Sequence, residues 1–263
     1  MALWEVLAPR RAPSVAKRFR WTNNLALVFL NTILLRVLFQ TAAVGLAFQV
    51  TQHDGGLLNR FDLPDVLRVL VGVVALDLAI YLQHVMFHAV PALWRLHRMH
   101  HADLDFDVTT GARFHPIEIV LSMLIKFSAI AALGPPSIAV LIFEVLLNTT
   151  AMFNHSNVRM PLAIDRVLRY FIVTPDMHRV HHSVEPNETN SNFGFNLSLW
   201  DRLLGTYRSQ PAAGHSAMTI GIADYRDPHQ VNRLDGMLLM PFVGAVTDYA
   251  INHRHGGTTD GSA

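Results

Sequence analysis

Apolar residues fall in four long runs divided by short polar segments. The runs cover about 24–50, 66–90, 117–133 and 137–153. A hydrocarbon layer of about 30 Å takes roughly 20 helical residues at 1.5 Å each, so all four are candidate spans and the last two are near the minimum. The first is too long for a signal-peptide core and has no small-residue cleavage pattern nearby, so it reads as an uncleaved membrane helix. Gly134-Pro135-Pro136 makes a tight break between the last two runs. The polar loop 51–65 contains His53-Asp54-Gly55-Gly56, which predicts a turn.

Charge sets the orientation. Residues 1–23 hold Arg10, Arg11, Lys17, Arg18 and Arg20 against Glu5. The positive-inside rule keeps this segment in the cytoplasm, sends the first helix out and brings the second back. Segment 91–116, with Arg95, Arg98 and Arg113, is then cytoplasmic, the last two helices form a second hairpin, and everything beyond about His155 is cytoplasmic. The expected architecture is an all-α integral membrane protein of about four transmembrane helices in two hairpins, with a helical cytoplasmic cap. It divides into a basic terminus, 1–23, a membrane-embedded body, 24–207, and an extension, 208–263, with a frayed Gly- and Thr-rich tail. The moderately apolar stretch Met237–Tyr249 is expected to lie at the interface or to pack on the cap.

Composition agrees. Charged residues are 16% of the 263, against roughly 25% in a soluble domain, and 51% are hydrophobic. There is no cysteine, which excludes disulfides and cysteine-ligated metal clusters. A net charge of +1 gives no nucleic-acid footprint.

Ten of the fifteen histidines lie between positions 84 and 182. They read His84-x3-His88, His97-x2-His100-His101 and His178-x2-His181-His182, with His115 and His155 between. Spacings of three and four put side chains on one helical face. Pro91 and Pro175 suit the first turns of the helices that carry the two triplets. The topology gathers every cluster at the cytoplasmic face. Neutral imidazoles at ligand spacing, enough for two ions, predict a dimetal site. An all-nitrogen shell suits iron in oxygen chemistry, with zinc the competitor for the same ligands. His53, His215, His229, His253 and His255 read as ordinary polar histidines.

Other polar residues are ambiguous. Lys126 and Glu144 lie nine residues either side of Pro135, so they either pair within the membrane or stand apart as a snorkelling lysine and a neutral acid. Arg36 and Asp77 fall at comparable depth and are candidates to pair. Asp103, Asp105 and Asp107 alternate, as expected of a solvated loop face, with a strip for a basic partner as the other reading. Trp94, Trp200 and Tyr207 are either interfacial anchors or core.

The order HxxxH, HxxHH, HxxHH resembles the sterol desaturase and fatty acid hydroxylase superfamily. Leu93–His101 is similar to its second box, and Arg113-Phe114-His115-Pro116 to the signature before the hairpin. Asn154–Asn157 resembles its single-histidine motif, and Pro175–Ser183 its last box. Asn190–Gly194 and Leu199–Tyr207 look like its closing signature. The resemblance runs from about Asp77 to Tyr207. It implies a non-haem di-iron enzyme that uses O2 and two electrons to hydroxylate or desaturate a C–H bond of a sterol, fatty acyl, carotenoid or alkyl-ether lipid. The implied ligands are His84, His88, His97, His100, His101, His155, His178, His181 and His182. His115 is expected beside them, with Asp176 orienting His178 and Asp77 orienting His84. No nucleotide fingerprint accompanies them, so a separate reductase, ferredoxin or cytochrome is implied as electron donor. The active site would face the cytoplasm, from the inner membrane of a bacterium or the endoplasmic reticulum of a eukaryote. The competing reading is a membrane metal-handling protein without oxygenase activity.

Overall fold

The computed structural model describes residues 1–39, 41–245 and 249–251. Every named element among them is helical, with only isolated bridges between extended residues. The chain opens with α1 (Ala2–Leu7), α2 (Lys17–Leu38) and α3 (Ala43–Gln52). The long α4 (Asp65–Ala89) runs into α5 (Pro91–His101), and α6 (Pro116–Leu133) and α7 (Ser137–Asn154) form a hairpin. Short helices follow: α8 (Leu162–Leu168), α9 (Pro175–His181), α10 (Pro186–Thr189) and α11 (Leu199–Leu203). Three stretches are long and apolar enough to cross a bilayer: residues 17–60, α6 and α7.

The first expected span departs from the sequence reading. Instead of one helix over 24–50, α2 begins seven residues earlier and ends at Leu38, Phe39 is extended, and α3 starts at Ala43. No proline or glycine stands between Leu38 and Ala43 to cause the break. Packing decides it. Phe39 sets its ring edge-on to Phe127 of α6 at 5.3 Å. Ala43 and Ala47, one turn apart and buried, let α3 lie against α6 and α7 in a cluster with Leu76, Ile80, Ile130, Val140 and Phe143. Small residues allow this close approach of helices.

The turns between helices meet at one end of the bundle. Gly56 and Gly134 both have positive φ, and a Cβ on Gly56 would fall 2.3 Å from the Gly134 nitrogen. Asn59 donates to the Gly134 carbonyl at 3.1 Å. The loop after α3 and the α6–α7 turn are thereby fixed together, with the histidines at the opposite ends of α4 and α7.

At that opposite end a buried polar network ties α2 to the loop after α5. Arg20 donates to both carboxylate oxygens of Asp103, at 2.8 and 2.7 Å, and to Asp107 at 2.6 Å. Asp103 also accepts from Thr110 and Asn232, and Arg113 lies 3.7 Å away. The expectation of a solvated acidic strip is therefore wrong. Asp103 is fully buried, Asp107 nearly so, and Asp105 accepts from the Ser14 and Val15 backbone. Burial pushes the Asp103 carboxyl up, but the two arginines outweigh it and hold it below the ordinary carboxylate range. Arg113 is pushed down by burial to about 10, with Asp103 opposing the shift.

Residues 218–245 and 249–251 pack over this end rather than trailing from it. Met237, Met240, Tyr249 and Ala250 join Trp94, Met99 and Leu27 in one core. The expected helix over Met237–Tyr249 is a short helix, Leu234–Leu239, and one 3-10 turn, with 246–248 outside the described residues. The expected frayed tail, with His253 and His255, also lies outside them.

Candidate metal centre

Four short pieces of chain bring nine histidines together. His84 and His88 sit one turn apart near the end of α4. Val90 is extended, and Pro91 starts α5 at once, so α5 folds back with its histidines facing those of α4. His155 closes α7. The Thr174 hydroxyl caps α9, Pro175 takes its first position, and His178, His181 and His182 follow. A Cβ on Gly111 would fall 3.0 Å from His155 Nδ1, so only glycine lets that loop lie against the ring.

The nine separate into two groups with mutually close nitrogens. His84, His88, His97, His101 and His181 form one, and His100, His155, His178 and His182 the other. Each HxxHH box is thus divided between the groups. Residues four apart, His97 and His101, serve the first group, while His100 serves the second. All nine are buried.

The hydrogen bonds decide what this arrangement holds. His84 donates from Nδ1 to the Phe193 carbonyl at 2.8 Å, and His181 from Nδ1 to the Ser191 carbonyl at 2.7 Å. His97 directs Nδ1 at Glu118 Oε1, 2.6 Å away. With the protons there, three Nε2 lone pairs are left facing one another, His84 to His181 at 3.0 Å and His84 to His97 at 3.2 Å. They cannot hydrogen-bond each other. Nitrogens on one ion, each about 2.1 Å from it at roughly right angles, stand about 3 Å apart. In the second group only His155 has its tautomer fixed in this way. His155 gives Nδ1 to the Ala151 carbonyl and turns Nε2 toward His178 at 3.0 Å and His100 at 3.3 Å. His88 contacts Asn190 through Nδ1 and His101 through Nε2. The donor set therefore fits two cations held by imidazole alone.

Burial keeps the rings neutral. It pushes His97 and His155 down to about 3, and His100, His101, His178, His181 and His182 well below the ordinary imidazole range, where neighbouring histidines reinforce the effect. Neutral imidazole is the ligand form.

Six aromatic rings border the centre, with Trp94 against His88 and His101 and Phe87 against His97. Phe106 packs on His155 and His182, and Phe193 on His84, His88 and His181. Phe114 and Phe195 are half-buried, and each touches both groups. Trp94 is core, stacked with Tyr249.

The surrounding acids differ from expectation. Asp77 does not reach His84 or Arg36; it accepts from the Trp200 indole at 2.8 Å and the Leu197 backbone at 3.3 Å. The Phe193 carbonyl, brought in by a distant loop, takes the place beside His84. Asp176 does not orient His178, whose Nδ1 lacks a protein partner among the described residues. It pairs with Arg179 and Arg10 instead. His115 stands outside both groups, capping α6 through Ile117 and donating to the Leu238 carbonyl. Glu118 is the acid that touches a group, and sequence reasoning missed it. Its place in the first turn after Pro116 reads as an ordinary helix-start acid.

A helical, membrane-type protein with a buried all-histidine centre is the class these features define. Residues 69–206, just over half of the chain, match the fatty acid hydroxylase family, and the chain belongs to it. Ornithine lipid hydroxylase OlsE of Rhizobium tropici is 32% identical over 159 residues, covering 60% of this chain and 46% of that protein. Human alkylglycerol monooxygenase is 29% identical over 140 residues, covering 52% and 30%. Cholesterol 25-hydroxylase of Rattus norvegicus is 26% identical over 146 residues, covering 55% and 48%. The matched region thus spans less than half the length of each of these curated relatives. No solved structure matches the chain.

Proposed function

We propose that the protein is a membrane-embedded di-iron oxygenase that hydroxylates a C–H bond on the apolar chain of a lipid. His84, His88, His97, His101 and His181 hold one iron, and His100, His155, His178 and His182 the other. Bound there, the pair would supply reductive activation of O2 and removal of hydrogen from an unactivated carbon. The chain's own contribution is positional. Carbonyls of Phe193, Ser191 and Ala151 set the imidazole tautomers, Glu118 braces His97, and the phenyl rings exclude water. Two electrons come from a separate donor, because the chain has no cysteine for an iron–sulfur cluster. The basic N-terminal segment supports a centre at the cytoplasmic face, with α4 as a further crossing beside the three apolar stretches.

One observation carries this reading, the gathering of nine buried imidazoles into two groups of mutually close nitrogens, with the Nε2 lone pairs of His84, His97 and His181 turned on one another. Hydroxylation is favoured over desaturation because the relatives named above are hydroxylases and monooxygenases. The test is iron-loaded protein in lipid bilayers, given an artificial reductant and isotopic O2, with lipids analysed by mass. The expected result is two irons per chain and one labelled oxygen in a lipid product. Bound metal with no reductant-dependent O2 uptake would identify a metal-handling protein instead.

A further inference from the structure

We propose that residues 162–171 and 199–204 form one surface seated in the lipid layer on the histidine side of the membrane, contacting acyl chains and anionic headgroups. This goes beyond the catalytic reading and rests only on α6 and α7 crossing the bilayer.

Neither segment is long enough to span, and both show apolar side chains outward. In the first, Leu162, Ile164, Val167, Tyr170 and Phe171 are 51–66% exposed. In the second, Leu199, Leu203 and Leu204 are 43–65% exposed. An outward apolar surface of this extent is not left to water in a stable protein.

The two segments are joined. Ile172 bridges Leu197, and the Ser198 hydroxyl and Arg202 guanidinium both donate to the Arg169 carbonyl, at 2.8 and 2.9 Å. Arg202 lies over the rings of Tyr170 and Tyr207, at 4.7 and 3.9 Å.

Their depth follows from what they touch. Trp200 and Leu197 bond Asp77, seven residues before His84 on α4 and hence about 10 Å further into the bundle. Asn196 bonds Thr150, four residues before the end of α7, about 6 Å inward. The chain around α11 therefore lies beside the middle of α4 and the last third of α7, where the outward residues include Leu82 and Met152, with Asn148 and Thr149 on the same stretch of α7. An interfacial element sits about 5–10 Å into the boundary between headgroups and acyl chains, which matches the offset of Asn196 from the end of α7.

Charge agrees with the same occupant. The acids of these segments, Asp165 and Asp201, are buried and bonded internally. Arg166 is exposed and Arg202 half-buried, so the outward charge is basic and can reach lipid phosphates, with Tyr170 and Trp200 as aromatic anchors.

The absence of cysteine makes the test direct. Single cysteines at Val167, Phe171 and Leu203, a span control at Val145 and an outer control at Gln230 would be labelled with a fluorophore in liposomes. Quenching by lipids bearing a nitroxide near the headgroup, and by aqueous iodide, is then compared. Labels at 167, 171 and 203 should be quenched several-fold more by shallow nitroxide lipid than the label at 230, and should resist iodide. Iodide quenching equal to that at 230, with no effect of nitroxide lipid, overturns the proposal. If the label at Val145 escapes quenching by lipids bearing a nitroxide deep in the acyl chain, the membrane reading falls and takes this surface with it. Neither result depends on enzymatic activity.

Discussion

Glu118 Oε1 lies 2.6 Å from Nδ1 of His97, with both side chains buried. A carboxylate behind an imidazole fixes its tautomer and raises its basicity toward a metal. Replacing Glu118 with Gln keeps the shape and exchanges the carboxyl group for an amide. The expected effect is a loss of metal affinity of about 10- to 100-fold, with thermal unfolding of the metal-free protein little changed. Competition against a graded chelator measures it, and unchanged affinity would show that Glu118 serves packing alone.

The Asp103 network makes a stability prediction. Asp103→Asn leaves Arg113 buried without a carboxylate and Arg20 with Asp107 alone, a change of about 3–5 kcal/mol when one partner of a buried pair is removed. Asp105→Asn touches only hydrogen bonds from Ser14 and Val15 at the edge of the loop and should cost about 1 kcal/mol. Chemical unfolding in detergent compares the two. Equal, small effects would restore the reading of a solvated strip.

Lys126 Nζ and Glu144 Oε1 stand 2.7 Å apart on facing arms of the α6–α7 hairpin. Of the two alternatives left by the sequence, the pair is the one observed. Lys126→Met strands the acid at membrane depth and should lower stability by about 3 kcal/mol, whereas Lys126→Met with Glu144→Leu should recover most of it. A double-mutant cycle on detergent melting temperatures reads the coupling, and strictly additive losses would rule it out.

The neutral histidines predict an acid limit for the metal-free protein. Their folded values lie below the unfolded value of about 6.5, with His97 and His155 near 3. Below about pH 6.5 the unfolded chain binds protons that the folded chain refuses, so stability falls as pH drops toward 3. Metal binds the neutral rings and should move the onset of this loss to lower pH. Melting curves from about pH 7.5 to about pH 5, with and without iron, test the sign. A metal-free protein that gains stability on acidification contradicts it.

Much of the site was readable before any coordinates. All nine residues of the two groups stand in the spacings HxxxH and HxxHH or alone at His155, and Pro91 and Pro175 mark the helices that bear the triplets. These signals are local: a period of 3.6 residues and a proline's fixed φ act within one turn. What lies behind each imidazole was misread wherever the partner came from elsewhere in the chain. Asp77 and Asp176 are near their supposed ligands in sequence or on one face, yet Trp200 and Arg179 claim them. Glu118 carries no signal beyond its place in the first turn of α6, and only the packing of α6 against α5 brings it to His97.

Hydropathy, histidine spacing and the break at Gly134-Pro135-Pro136 determined by themselves that this chain builds apolar helices with ligand-ready faces gathered at one end. The tertiary structure decided the division into groups of five and four, the end of α2 at Leu38 without a helix breaker, the burial of Asp103 and the outward apolar side of residues 162–171. The physical reason is range. Helical periodicity is set by neighbours along the backbone. The meeting of His84 with His181, of Arg20 with Asp103, or of Trp200 with Asp77 depends on how distant segments pack, and no residue near any of them in sequence encodes it.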